Sequence, residues 1–280
     1  MGWKNPSRPG SDGGSAVSPS HLNAVKESPT PIYLDSHAHL EMCGDPDAVV
    51  REASDQAVRY ILSVGCDIPS SEKAVSLAET HGPVYACVGV HPHEASSVDD
   101  KTLSSLVRLA GSPKTIAIGE TGLDFFRNRS PVNDQVTSFI KHIELARKTG
   151  LPLVVHTREA ALETLEILEK WAGGLTIIMH CFSLYNYVEE CAQRGFFMSV
   201  AGNVTFKNTG GLREAAKRIP PNLLLTETDS PYLTPVPFRG RQNHPANVRF
   251  VLQELAALRE ESAAQLSAGI LKNFQTAFGI

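Results

Sequence analysis

From residue 31 onward the chain alternates short, continuous apolar runs with longer segments in which apolar residues recur every three or four positions. The runs fall at 31–35, 59–64, 83–90, 115–119, 152–155, 175–179, 196–200 and 222–226. Continuous rather than alternating apolar character predicts strands buried on both faces, as in a parallel sheet. Helices are predicted between them over 46–58, 69–81, 99–110, 131–149, 158–172, 186–194, 210–218 and 245–260, with a last one over 262–277. The segment 131–149 is the clearest. Val136, Phe139, Ile140 and Ile143 form one apolar stripe, Ser130 is placed to cap, Pro131 opens the first turn and Gly150 ends the helix. Eight strands, each followed by a helix, predict an α/β fold of the TIM-type (β/α)8 barrel class. A doubly wound sheet is the alternative, but no G-x-G-x-x-G loop follows the first strand.

Residues 1–30 break the pattern. They hold four Pro, four Gly and six Ser without either periodicity, so they are expected to be a disordered extension, leaving 31–280 as the barrel. No secretory leader is visible in them, and nowhere does an apolar run approach the roughly 18 residues of a membrane span. The five cysteines are odd in number and lack C-x-x-C spacing, which points to a reducing compartment, the cytoplasm by default. Net charge is −4, without the basic stripe expected of a protein that grips duplex DNA electrostatically. A phosphate-bearing substrate stays compatible, because bound metal ions can supply positive charge locally.

In a βα barrel the active site is assembled from the C-terminal ends of several strands. The first predicted strand ends in Asp35-Ser36-His37-Ala38-His39, where an extended backbone would turn both imidazoles to one face. The third leads to His91 and His93, the fourth to Glu120, the fifth to His156, the sixth to His180, and the eighth to Glu227 and Asp229. Strands two and seven offer only Cys66, Asp67 and Asn203. One such histidine is more often a hydrogen-bonded core residue than a ligand. Ligand-type side chains from five strand ends on one rim are hard to reconcile with that bland reading, because buried titratable groups are costly unless paired or metal-bound. Nitrogen and carboxylate donors without thiolate suit Zn²⁺, Mn²⁺ or Mg²⁺. They exceed what one tetrahedral ion needs, so two divalent ions are expected, bridged by a carboxylate such as Glu120.

Candidate substrate contacts surround this set. The Pro-rich loop 235–245 carries Arg239 and Arg241, and Arg158 lies two residues beyond His156; guanidinium groups there would hold an anion bidentately. Phe125, Phe126, Phe182 and Tyr232 are placed to stack on bases or to pack the mouth. Cys181 follows His180, but chain adjacency does not make a Cys-His pair, and a small buried residue is the expectation.

Taken together these residues resemble the TatD family of metal-dependent deoxyribonucleases, within the amidohydrolase-like group of barrel enzymes. The motifs that carry the resemblance are Asp35-Ser36-His37-Ala38-His39, Gly89-Val90-His91-Pro92-His93, Gly119-Glu120-Thr121-Gly122-Leu123-Asp124, His156-Thr157-Arg158, His180-Cys181-Phe182 and Glu227-Thr228-Asp229-Ser230-Pro231-Tyr232-Leu233. They cover 31–280 in order. The resemblance implies that His37, His39, Glu120, His156, His180 and Asp229 ligate the metals and that the protein is a cytoplasmic nuclease of DNA repair or degradation; His91, outside that set, is expected to contact substrate. It also implies removal of nucleotides from single-stranded ends, with RNA not distinguished from DNA. Phe125-Phe126 stand where the family often has tyrosines, Ser230 where Ala is common and Arg241 where Lys is common. These departures bear on substrate preference rather than reaction type.

The expected chemistry is phosphodiester hydrolysis by metal-activated water, with Asp229 orienting and deprotonating that water and Glu120 bridging the ions. The rival expectation is a hydrolase of small esters, lactones or amides on the same metal site, since the pocket rather than the barrel decides substrate. A non-catalytic binding module would have lost ligands, and none of the six is missing. The oligomeric state is left open, with a monomer compatible.

Overall fold

The strands lie side by side in chain order, every neighbouring pair parallel. They are β1 (Tyr33–Ala38), β2 (Val58–Val64), β3 (Val84–Val88), β4 (Thr115–Asp124), β5 (Leu153–Arg158), β6 (Ile177–Met179), β7 (Phe197–Val200) and β8 (Leu224–Thr226). Helices α1 (Pro46–Asp55), α2 (Ile68–Thr80), α3 (Asp100–Ala110), α4 (Val132–Thr149), α5 (Ala161–Trp171), α6 (Val188–Gln193), α7 (Leu212–Arg218), α8 (Val248–Arg259) and α9 (Ala263–Phe278) alternate with them and cover the sheet. The computed structural model describes residues 1–2 and 30–280, so the expectation of an extension over 1–30 lies, but for its end residues, outside the described residues. No helix among the described residues is long and apolar enough to cross a membrane.

The sheet closes where β8 returns to β1. The Asp229 N–H donates to the His37 carbonyl at 2.9 Å, and the His39 N–H donates to the Ser230 carbonyl at 2.8 Å. Below this, the buried Asp35 carboxylate accepts the Thr228 N–H at 2.8 Å and the Thr228 hydroxyl at 2.6 Å. The architecture is the TIM-type barrel that the pattern predicts. Its apolar strands are buried on both faces, with Leu34, Ile61, Ile118, Leu153 and Leu224 among the most enclosed core residues.

Three departures matter for the site. First, β1, β4 and β5 run further than their apolar runs, so His37, Glu120, His156 and Arg158 lie inside strands rather than just beyond them. Second, β4 bulges at the critical residue. Its pairing with β5 passes from Ile118↔Leu153 to Thr121↔Val155, an advance of three residues against two, so Glu120 falls where the ladder is interrupted. Bulges re-aim side chains, and they concentrate beside active sites. Glycine permits it: Gly119 and Gly122 have φ of +136° and +138°, and a Cβ at Gly122 would lie 2.0 Å from the His156 carbonyl oxygen.

Third, the buried face of α4 is more polar than its apolar stripe predicts. Phe139 and Ile143 are buried, but Val136 and Ile140 are only half-buried, while Gln135, Ser138 and His142 are fully enclosed. Gln135 accepts the Asp124 N–H at 2.8 Å and donates to the Ser130 carbonyl at 2.8 Å. Ser130 does not cap the helix as expected; Pro131 takes that position, and the Ser130 hydroxyl donates to the His93 carbonyl at 2.8 Å instead. Gly150 ends α4 in the left-handed conformation, as the sequence predicts.

Candidate metal centre

Glu120 is the hub of the strand-end cluster. Its Oε1 lies 3.6 Å from His37 Nε2 and 3.5 Å from His39 Nε2, while Oε2 lies 3.4 Å from His156 Nδ1 and 3.7 Å from His180 Nε2. Asp229 stands over the same imidazoles, its Oδ1 3.7 Å from His39 Nε2 and 3.9 Å from His180 Nε2. The six residues expected as ligands are thus brought together by β1, β4, β5 and the ends of β6 and β8. Asp229 itself has φ of +54°, an uncommon conformation for a non-glycine residue, held by the seam hydrogen bond from its own N–H.

Outer contacts fix the rings. The His39 Nδ1 lies 2.9 Å from the Val64 carbonyl, so it carries the proton and leaves Nε2 as the free donor atom. His180 Nδ1 lies 2.9 Å from Glu227 Oε1, which also accepts the Cys181 N–H at 2.9 Å. His156 Nε2 lies 3.3 Å from Asp124 Oδ2, and His93 Nε2 lies 3.0 Å from the same oxygen. Glu227 and Asp124 therefore back two of the expected ligands. The sequence names Glu227 at a strand end and Asp124 only within a motif, without giving either this role; acidic residues inside those motifs were the available signal.

The electrostatics of the cluster pull its groups in opposite directions. Burial, then the stacked His180 ring with its centroid 3.5 Å away, pushes the His37 imidazole down to about 4. Burial opposes charge on His180, yet Glu227, Glu120 and Asp229 outweigh it and lift that group to about 10. Burial raises Asp229 to about 6 despite His180 and His39. Glu120 is held well below the usual carboxylate range, the surrounding histidines overcoming its burial. Neither ring nitrogen of His37 has a hydrogen-bond partner, and Glu120 Oε2 has none either. Buried polar atoms are normally paired, so orphaned nitrogen and carboxylate oxygen side by side fit a divalent cation. Two overlapping groups of donors meet at Glu120, one with His37 and His39 and one with His91 and His156.

Above the cluster opens a cavity of about 550 Å³. His91 and Arg158 line it, as do Arg127 and Arg129, which the sequence reading passed over. Both follow the Gly-Glu-Thr-Gly-Leu-Asp motif by a few residues, so the strand-end rule could have found them. Arg239 and Arg241 are not brought to this cavity. Arg239 lies over the Phe206 ring at 3.9 Å beside a separate depression, and Arg241 lies near Phe238. Of the four aromatic residues, Phe126 and Tyr232 are exposed, Phe125 is half-buried, and Phe182 is buried in the core away from any stacking role. Cys181 is half-buried rather than buried, and burial together with Asp229 and Glu227 pushes its thiol well up, against a nucleophilic thiolate.

The sequence profile of the family described as TatD related DNase matches residues 34–279. The uncharacterized metal-dependent hydrolase YabD of Bacillus subtilis is 36% identical over 254 residues, spanning 89% of this chain and all of that relative. The 3'-5' ssDNA/RNA exonuclease TatD of Escherichia coli K12 is 36% identical over 244 residues, 84% of this chain and 94% of the relative. Among solved structures, YJJV, a TatD homolog from Escherichia coli K12, superposes with a TM-score of 0.83 at 27% identity, covering 89% of this chain and 98% of that one. With profile, curated relatives and fold in agreement over nearly the whole barrel, this chain belongs to the family of TatD related DNases.

Proposed function

We propose that the protein is a metal-dependent exonuclease that hydrolyses phosphodiester bonds at the ends of single-stranded nucleic acid. The observation that carries this reading is that one buried carboxylate, Glu120, is faced by four histidine nitrogens at 3.4–3.7 Å with His37 otherwise unpaired. Two divalent ions, Zn²⁺, Mn²⁺ or Mg²⁺, would be held there by His37, His39, Glu120, His156, His180 and Asp229. When bound, such ions supply positive charge for a phosphate and lower the pKa of water towards ~7.

The chain's own groups do the rest. Asp229, half-buried at the cavity floor and raised to about 6, is poised to orient a water and accept its proton near neutral pH. His91 Nδ1 accepts the His93 N–H at 3.0 Å, so its proton sits on Nε2 and the ring is a neutral hydrogen-bond donor for a phosphoryl oxygen. Arg158, exposed at the mouth, offers a planar fork that suits phosphate. A deep mouth favours a flexible strand end over a stacked duplex. The exonuclease relative at 36% identity supports the same substrate class. Five free cysteines support a reducing, cytoplasmic setting.

The test is a metal-supplemented assay on end-labelled single-stranded DNA and RNA beside a panel of small esters, lactones and amides. Stepwise shortening of the labelled strand, abolished by chelation, is the expected result. Efficient ester turnover with nucleic acids untouched would replace this reading.

A further inference from the structure

The extension of β4 has a second effect at the cavity mouth. Pairing with β5 continues to Asp124↔Arg158, and the Phe125 N–H then donates to the Arg158 carbonyl at 2.9 Å. The loop that follows is anchored by the Arg127 N–H, which donates to Asp124 Oδ1 at 2.7 Å. Three arginines, Arg127, Arg129 and Arg158, consequently line one mouth from two neighbouring strand ends, although Arg158 is remote in sequence from the other two. All three are exposed. Elsewhere Arg108, Arg194, Arg213, Arg218 and Arg259 pair with carboxylates, whereas none of these three does among the described residues. Glu94 lines the mouth too, without pairing with any of them. Phe126, itself half exposed, lies against the Arg158 guanidinium with 4.0 Å from Cζ to the ring centroid. Stacking of that kind occupies one face of a guanidinium and leaves its in-plane N–H groups for an anion.

We propose that Arg127, Arg129 and Arg158, with Phe126 holding Arg158 flat, form a wall that grips the phosphates flanking the scissile one. The ligand class is a single-stranded polyanion of several phosphates. This rests on the phosphodiester reading of the metal centre and adds a length requirement to it: oligonucleotides are selected over dinucleotides by contacts outside the chemical step. The charge beyond the floor is what makes the difference. A lone phosphodiester reaches the buried cluster, but only a longer strand also reaches the wall.

The experiment compares wild type with Arg127→Ala/Arg129→Ala, Arg127→Lys/Arg129→Lys and Arg239→Ala/Arg241→Ala, all metal-loaded and checked by thermal melt. Binding of a fluorescein-labelled phosphorothioate dT oligomer is followed by anisotropy across a salt series, and cleavage of ordinary dT oligomers and of a dinucleotide is measured in parallel. Each phosphate contact contributes about 0.7 to the slope of log affinity against log salt on a single strand, so losing two should reduce the slope by about 1.4. The alanine pair at 127 and 129 is expected to lose that slope and to raise KM for oligomers about tenfold, with kcat within about twofold and dinucleotide cleavage little changed. The lysine pair should keep most of the slope. An unchanged slope and KM, or a loss seen only in the 239 and 241 pair, would overturn the wall. Tight wall-dependent binding without cleavage would instead count against the nuclease reading and leave the wall standing.

Discussion

His142 on α4 and His37 in β1 are both wholly buried, but their nitrogens meet different surroundings. His142 Nε2 accepts the Val90 N–H at 3.0 Å and its Nδ1 donates to the Ser138 carbonyl at 2.7 Å. Together with Gln135, it fastens α4 to the backbone just ahead of His91 and at Asp124. His37 has no hydrogen bond at either nitrogen and a carboxylate 3.6 Å away. An unpaired buried polar group costs about 1–3 kcal/mol, so the α4 face is settled by its own hydrogen bonds while the strand-end floor is polarised for a cation. Burial of a histidine is therefore a poor mark of function; the pairing of its nitrogens discriminates.

The largest expected effect lies on the floor. Asp229→Asn keeps the volume but removes the charge and the proton acceptor, and should lower turnover by about 10²–10⁴-fold at saturating metal. A folded variant with near wild-type activity would remove Asp229 from the mechanism.

Next comes a pH effect on the α4 side. Burial lowers His142 to about 4 from an ordinary 6.5, so the folded chain binds fewer protons there than the unfolded one. Its contribution is complete above 6.5 and is lost as pH falls towards 4, about 3 kcal/mol over that window. Urea melts of wild type and His142→Gln at pH 7.5 and 4.5 check this. The variant should lose less stability on acidification, and equal losses would contradict the assignment.

The smallest effect sharpens the contrast directly. In chelated protein, His142→Leu should cost about 1–3 kcal/mol by leaving the Val90 N–H unpaired, whereas His37→Leu should cost nothing or stabilise. With divalent metal added the order at His37 reverses, because wild type gains linkage stabilisation, about 2.7 kcal/mol at a hundredfold excess over Kd, that the variant lacks. Thermal melts with and without metal, alongside metal counting, decide it.

Much of this was legible before any coordinates. Apolar runs fix where strands lie, and the strand-end rule then collects Glu120, four histidines and Asp229 from distant parts of the chain. The bulge at Glu120 was not legible, because Gly119, Glu120, Thr121 and Gly122 end an apolar run although the backbone stays extended to Asp124. The polar joint of α4 escaped for a related reason: Gln135 and His142 lie outside the apolar stripe, and their burial follows only from the backbone N–H groups of Asp124 in β4 and of Val90 just beyond β3. Arg239 and Arg241 looked well placed because their loop follows β8, but the direction a long loop takes is not written in its composition.

The seam between β1 and β8 sets when the site can exist. Asp35 and Thr228 are 193 residues apart in sequence, and the hydrogen bonds joining them also join the two motifs that supply His37, His39 and Asp229. A chain leaving the ribosome exposes its histidine pair long before its last strand is made. Until the circle is complete, the proposed base and half its partners belong to separate ends of an open sheet. Such a barrel carries no complete site throughout its own synthesis, and a product that ends before β8 lacks Asp229 altogether.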